Sequence, residues 1–94
     1  MRLSAEEIKI LKMSLNKISS EAKLYLFGSR ISESAKGGDI DLLVVSRRLR
    51  PRDLRRLRLD FFKHFGEQKI DIVLDDGSFA DPFRKIISQK AILL

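Results

Sequence analysis

Apolar residues recur at helical spacing near the start of the chain. Ile8, Leu11, Leu15 and Ile18 stand three or four positions apart, which lines one face of a helix. Ser4 followed three residues later by Glu7 is the capping-box pattern of a helix start. Together they predict a first helix over about 5–20. Lys23 to Phe27 is a short apolar and aromatic run ended by Gly28, the mark of a buried strand. Ser29 is placed to cap a short helix reaching about Ser34, and Lys36, Gly37 and Gly38 read as loop. Asp39 to Val45 (Asp-Ile-Asp-Leu-Leu-Val-Val) is rich in branched aliphatic residues and predicts a strand.

Pro51 suits a first helical turn, and Asp53 sits well against its positive end. Leu54, Leu57, Phe61 and Phe65 form an apolar stripe, with Gly66 as the stop. Lys69 to Leu74 predicts a third strand, halted by Asp75, Asp76 and Gly77. Asp81 and Pro82 open a last helix running to about Ala91. The order α-β-α-β-α-β-α implies an α/β (α+β) fold with about four helices on a small three-stranded sheet. The connection from 28 to 38 is about as short as a crossover allows, so a mixed sheet fits at least as well as a parallel one. No repeat or linker divides the chain, which reads as one domain over 1–94.

Composition changes the picture in three respects. There is no cysteine, which removes disulfides and thiolate metal sites from consideration. No apolar stretch approaches a membrane span, and charges at Arg2, Glu6, Glu7 and Lys9 interrupt any signal-like run, so a cytoplasmic protein is expected. The formal net charge is +6, and much of the excess lies in Arg47, Arg48, Arg50, Arg52, Arg55, Arg56 and Arg58. Such a stretch either keeps a helix face solvated or receives an acidic partner, a nucleic acid or nucleotide phosphates.

The chemistry begins with spacing. Residues two apart on a strand share a face, so Asp39 and Asp41 project side by side. Two adjacent carboxylates repel unless a cation compensates, and hard oxygen ligands of this kind suit Mg²⁺, with Mn²⁺ as an alternative. Asp71 lies between Ile70 and Ile72 in the third strand, where a carboxylate needs a partner. If that strand neighbours the second, Asp71 joins the pair, and a two-metal site for phosphoryl displacement becomes possible. Gly28-Ser29 between a strand and a helix start lets a phosphate approach backbone N–H groups, with Arg30 placed to add charge.

Leu26-Phe27-Gly28-Ser29-Arg30, nine intervening residues after Ser29, then Asp39-Ile40-Asp41-Leu42-Leu43-Val44 resemble the signature of the DNA polymerase β-like nucleotidyltransferases. The small size and the Ile70-Asp71-Ile72 strand are similar to the minimal nucleotidyltransferases of prokaryotes, many of them antitoxins paired with a helical HEPN ribonuclease toxin. The resemblance implies that Gly28 and Ser29 hold a triphosphate, that Asp39 and Asp41 bind metal, and that Asp71, a third acidic site residue, helps activate the acceptor nucleophile. Gly38 departs from the serine that many relatives carry before the first aspartate. The chain also stops soon after the third strand, which leaves an acceptor site shallow or supplied by a partner.

The expected activity is transfer of a nucleoside monophosphate, AMP from ATP or another nucleoside triphosphate, to a protein acceptor such as a HEPN toxin. Two rivals come from other classes. One is an antitoxin acting by contact alone, and the other an RNA-binding domain using Arg47–Arg58, a stretch without interleaved aromatic residues for stacking. Arg52, Arg55 and Arg56 are the expected partner-binding residues in either case. His64, the only histidine, reads as a surface or packing residue beside Phe61, Phe62 and Phe65. Ile92-Leu93-Leu94 is expected either to fold back on the core or to meet another chain.

Overall fold

The computed structural model describes residues 2–31 and 38–94. Helix α1 spans Ala5–Ile18, and its start is held by reciprocal bonds: Glu7 N donates to Ser4 Oγ, and Ser4 N to Glu7 Oε1. It stops short of residue 20 because Ser19 is extended, its N–H still donating to Leu15 O. Strand β1 (Lys23–Phe27) runs into a 3-10 turn at Gly28–Ile31. Ser29 therefore lies within that turn instead of capping a helix. The remainder of the expected short helix, and the loop residues Lys36 and Gly37, lie outside the described residues.

Strand β2 is Ile40–Val45, α2 is Pro51–Phe65, β3 is Ile70–Asp75 and α3 is Pro82–Lys90. The sheet has one strand more than the expected three: Ile92–Leu93 form β4, antiparallel to β1. Leu94 N adds a bond to Leu24 O at 2.9 Å. The described residues thus hold three α-helices, one 3-10 turn and four strands. The chain end does fold back, and it covers a sheet edge that would otherwise leave its backbone groups unpaired.

The sheet order is β3-β2-β1-β4. β2 is antiparallel to β1 and parallel to β3, a mixed sheet as the short first connection allowed. Strand alternation gives the sheet two unlike faces. On one, Leu24, Leu26, Ile40, Leu42, Val44 and Ile70 join Leu11, Leu15, Leu54, Leu57 and Phe61 from α1 and α2 in the main core. Ser14 Oγ donates to Asp60 Oδ2 at 2.7 Å and ties the two helices together. On the other face α3 contributes buried Ile87, and Arg84 reaches Asp75, while Leu43 is fully buried. No described helix is long and apolar enough to cross a membrane.

Candidate active site

The acidic residues gather at one end of the second face. The parallel pairing of β2 with β3 sets Asp41 directly opposite Asp71 and Ile40 opposite Ile70. The two acids thus stand side by side across neighbouring strands. Burial, then the negative charges of Asp71 and Asp39, push the Asp41 carboxyl above its usual range, against a smaller opposing pull from Lys69. Asp39 precedes the strand, and its Oδ2 lies 3.4 Å from Lys69 Nζ. All three predicted acids therefore share one strand end, although Asp39 is turned to a cation. Among the described residues no three acids or histidines converge on a single point.

Gly28 ends β1 on the same side. Antiparallel register places Phe27 opposite Asp41, and the chain turns at Gly28 with φ 78°. A β-carbon there would run into Asp41 Oδ2 and lie only 3.0 Å from its Cγ. The expected reason for glycine was room for a phosphate. The structure adds a second reason, since only glycine admits the Asp41 side chain beneath the turn.

Arg30 has a task that the sequence did not suggest. Its Nη1 donates to Arg2 O at 2.7 Å and its Nη2 to Gly38 O at 2.9 Å. Its Nε is buried without a partner among the described residues. Arg2 answers through its N–H to Arg30 O at 2.7 Å and its Nη2 to Ser29 O at 3.1 Å. The guanidinium thus braces the backbone just before Asp39 against the glycine turn and the N-terminal segment. Arg2 and Lys69 are site residues that sequence reading missed. Carbonyl acceptors leave no side-chain signal, but Lys69 stands two places before Asp71 at the mouth of its strand, a position that spacing alone marks.

A glycine turn, an Asp-x-Asp strand start and a register-matched aspartate on the next parallel strand form one constellation. The sequence profile of the nucleotidyltransferase domain matches residues 8–94, nearly the whole chain. The chain belongs to the nucleotidyltransferase domain family. A comparison with curated proteins gave no match. This nucleotidyltransferase is an enzyme of group transfer acting on a nucleoside triphosphate, and its family generally employs divalent metal.

The donor set of this nucleotidyltransferase fits such an ion in its chemistry. Three carboxylates at one strand end concentrate negative charge, and burial, with Asp71 and Asp39 beside it, raises the Asp41 carboxyl, a cost that a cation held there would relieve. Hard oxygen donors are the ligands that Mg²⁺ or Mn²⁺ takes. Gly28 is exposed and the Ser29 hydroxyl is without a partner among the described residues, which leaves the turn open to an anion beside the acids.

Proposed function

We propose that the domain transfers AMP from ATP to a hydroxyl of a protein acceptor, working in the cytoplasm as an antitoxin that modifies a HEPN-type ribonuclease. The observation carrying this reading is the register that sets Asp41 against Asp71 beside the Gly28 turn. Asp39 and Asp41, joined by Asp71, would hold Mg²⁺. The bound cation supplies charge neutralisation for the phosphates and the leaving pyrophosphate. The turn at Gly28 and the Ser29 hydroxyl hold the triphosphate by hydrogen bonds. Asp71, exposed at the strand edge, accepts the proton of the acceptor hydroxyl as its oxygen bonds to the α-phosphorus and pyrophosphate departs. The basic outer face of α2 recruits the acceptor.

Titration calorimetry with ATP tests the nucleotide half of this reading. Binding is expected in Mg²⁺ and is lost in EDTA, because carboxylates and phosphates need a cation between them. Equal affinity in both would refute it.

A second reading, an antitoxin that acts by contact alone, has one observation in its favour: Asp39 is engaged by Lys69 instead of converging with the other two acids. Transfer of label from α-³²P-ATP to the acceptor separates the readings. Neutralisation of the toxin by an Asp41→Asn variant as fully as by wild type would support contact alone.

A further inference from the structure

At the end of the sheet remote from the acids lies a second cleft of about 530 Å³. Its floor belongs to the face that carries Asp41, because Lys23, Tyr25 and Phe27 pair in turn with Val45, Leu43 and Asp41. Four residue steps along the strand separate the cleft's Lys23 from Phe27, roughly 13 Å. Tyr25 and Val45 form the floor, and Phe79, Lys23, Arg47 and Arg48 stand around it.

Two carboxylates also line the cleft, and both are occupied. Glu21 Oε1 accepts from Ser46 Oγ at 2.7 Å and from Arg47 N at 3.2 Å. Asp76 Oδ1 accepts from Ser78 Oγ at 2.6 Å and Ser78 N at 2.9 Å. Lys23, Arg47 and Arg48 are exposed, and among the described residues none is paired with an acid. The cleft thus sets three cations against two carboxylates, a net positive balance, around two aromatic rings.

Phe79 supplies an independent observation. It is the one non-glycine residue with positive φ among those described, at 50°. Bulky residues avoid this conformation, and it persists only where the surroundings impose it. Here the imposing group is Asp75, nearly fully buried, whose Oδ2 accepts from Gly77 N at 2.7 Å and Phe79 N at 3.1 Å. Arg84 Nε holds the other oxygen, Oδ1, at 2.7 Å. A buried carboxylate, paired with the half-exposed Arg84, therefore fixes a strained turn that delivers a ring to the cleft. No packing requirement of the main core explains it, since Phe79 lies outside that cluster.

We propose that this cleft is a second nucleotide-binding site, taking one nucleoside phosphate with its base against Tyr25 and Phe79 and its phosphate on Arg47, Arg48 and Lys23. Every base presents a π-face, so stacking on such rings tolerates any base. Arginine grips phosphate in a bidentate fashion, which suits Arg47 and Arg48 at the rim. The nucleoside phosphate is either free or the end of an RNA strand. The proposal is independent of metal and of the transfer reaction.

Tyr25 is the only tyrosine, so its ring resonances report on this cleft alone. The full chain in EDTA is titrated with AMP, with an oligoadenylate pentamer and with pyrophosphate, and followed by NMR. Saturable shifts of the Tyr25 ring with AMP or the pentamer are expected, with pyrophosphate at least about tenfold weaker because it lacks a base. Similar affinities for AMP and pentamer identify a free nucleotide as the ligand, and a markedly tighter pentamer identifies a strand end. Arg47→Ala with Arg48→Ala, both exposed, is expected to weaken binding about tenfold. Phe79→Gly, which relieves the backbone while removing the ring, is expected to do likewise without loss of melting temperature. The proposal is overturned by unmoved Tyr25 resonances, by equal affinity for pyrophosphate, or by shifts that survive both variants. It is also overturned if Asp41→Asn alone abolishes them, which would place the nucleotide at the acidic end.

Discussion

Asp41 is the residue on which the acidic end turns. Its carboxyl is held above its usual range by burial and by Asp71 and Asp39. A group whose folded-state pKa is raised favours the fold when protonated and opposes it once ionised, so its stabilising share is lost as pH rises through that raised value. Asp41→Asn is therefore expected to raise the melting temperature at neutral pH by roughly 2–6 °C, on the order of 0.5–1 kcal/mol for a domain of this size. The gain should shrink in acid, where the wild-type carboxyl is already neutral. The same variant should lose at least about a hundredfold in transfer rate. A melting series across pH, run beside a label-transfer assay, checks both. Gly28 is bound to Asp41 by sterics. Gly28→Ala should cost about 1–3 kcal/mol, from positive φ and from the contact with Asp41. In the double variant Gly28→Ala/Asp41→Ala the contact part should return, and strictly additive melting losses would show that no contact exists.

At the scale of elements, the turn between β3 and α3 rests on one buried carboxylate. Burial would raise the pKa of Asp75, but hydrogen bonds from Arg84, Gly77 and Phe79 outweigh it and hold the group below its usual range. The sign is opposite to that of Asp41. Stability from Asp75 is present above the ordinary carboxylate pKa of about 4 and is withdrawn as pH falls through the lower folded value. Asp75→Asn should cost roughly 2 kcal/mol at neutral pH, and less at an acid pH below the usual carboxylate range. Urea unfolding at the two pH values measures it, and a pH-independent gap would contradict the ion-pair account. Periodicity made α1, β1, β2, α2, β3 and α3 readable to within a residue or two, because each carries its own apolar stripe or alternation. β4 was not readable, since two exposed residues have no period and owe their conformation to the edge of β1. The Asp-x-Asp face followed from alternation alone. Its partnership with Asp71 was conditional, because strand adjacency and direction are set by the crossover through α2. The brace at Arg30 left no mark, as its acceptors are backbone carbonyls.

On the scale of the whole molecule, the arginines of α2 and the three acids occupy different sides. The acids lie on the second face of the sheet, while α2 covers the first and turns Arg52, Arg55 and Arg56 to solvent. None of these three is in an ion pair among the described residues. Replacing all three with glutamate should weaken binding of an acidic partner at least tenfold at low salt, with the difference narrowing as salt rises. ATP affinity in Mg²⁺ should stay unchanged. Partner binding equal to wild type at low salt would reduce the arginines to a solvated face. The pairing of Asp41 with Asp71 has a consequence for the life of the molecule in solution. Parallel strands must wait for the intervening helix to bring them together, so they join late and at a cost in chain entropy. The paired acids are therefore absent from any partly folded form in which β3 has come away, even while α1, α2 and the β1–β2 hairpin remain assembled. On the role proposed for these acids, loosening that one strand would silence transfer while the rest of the fold still stands.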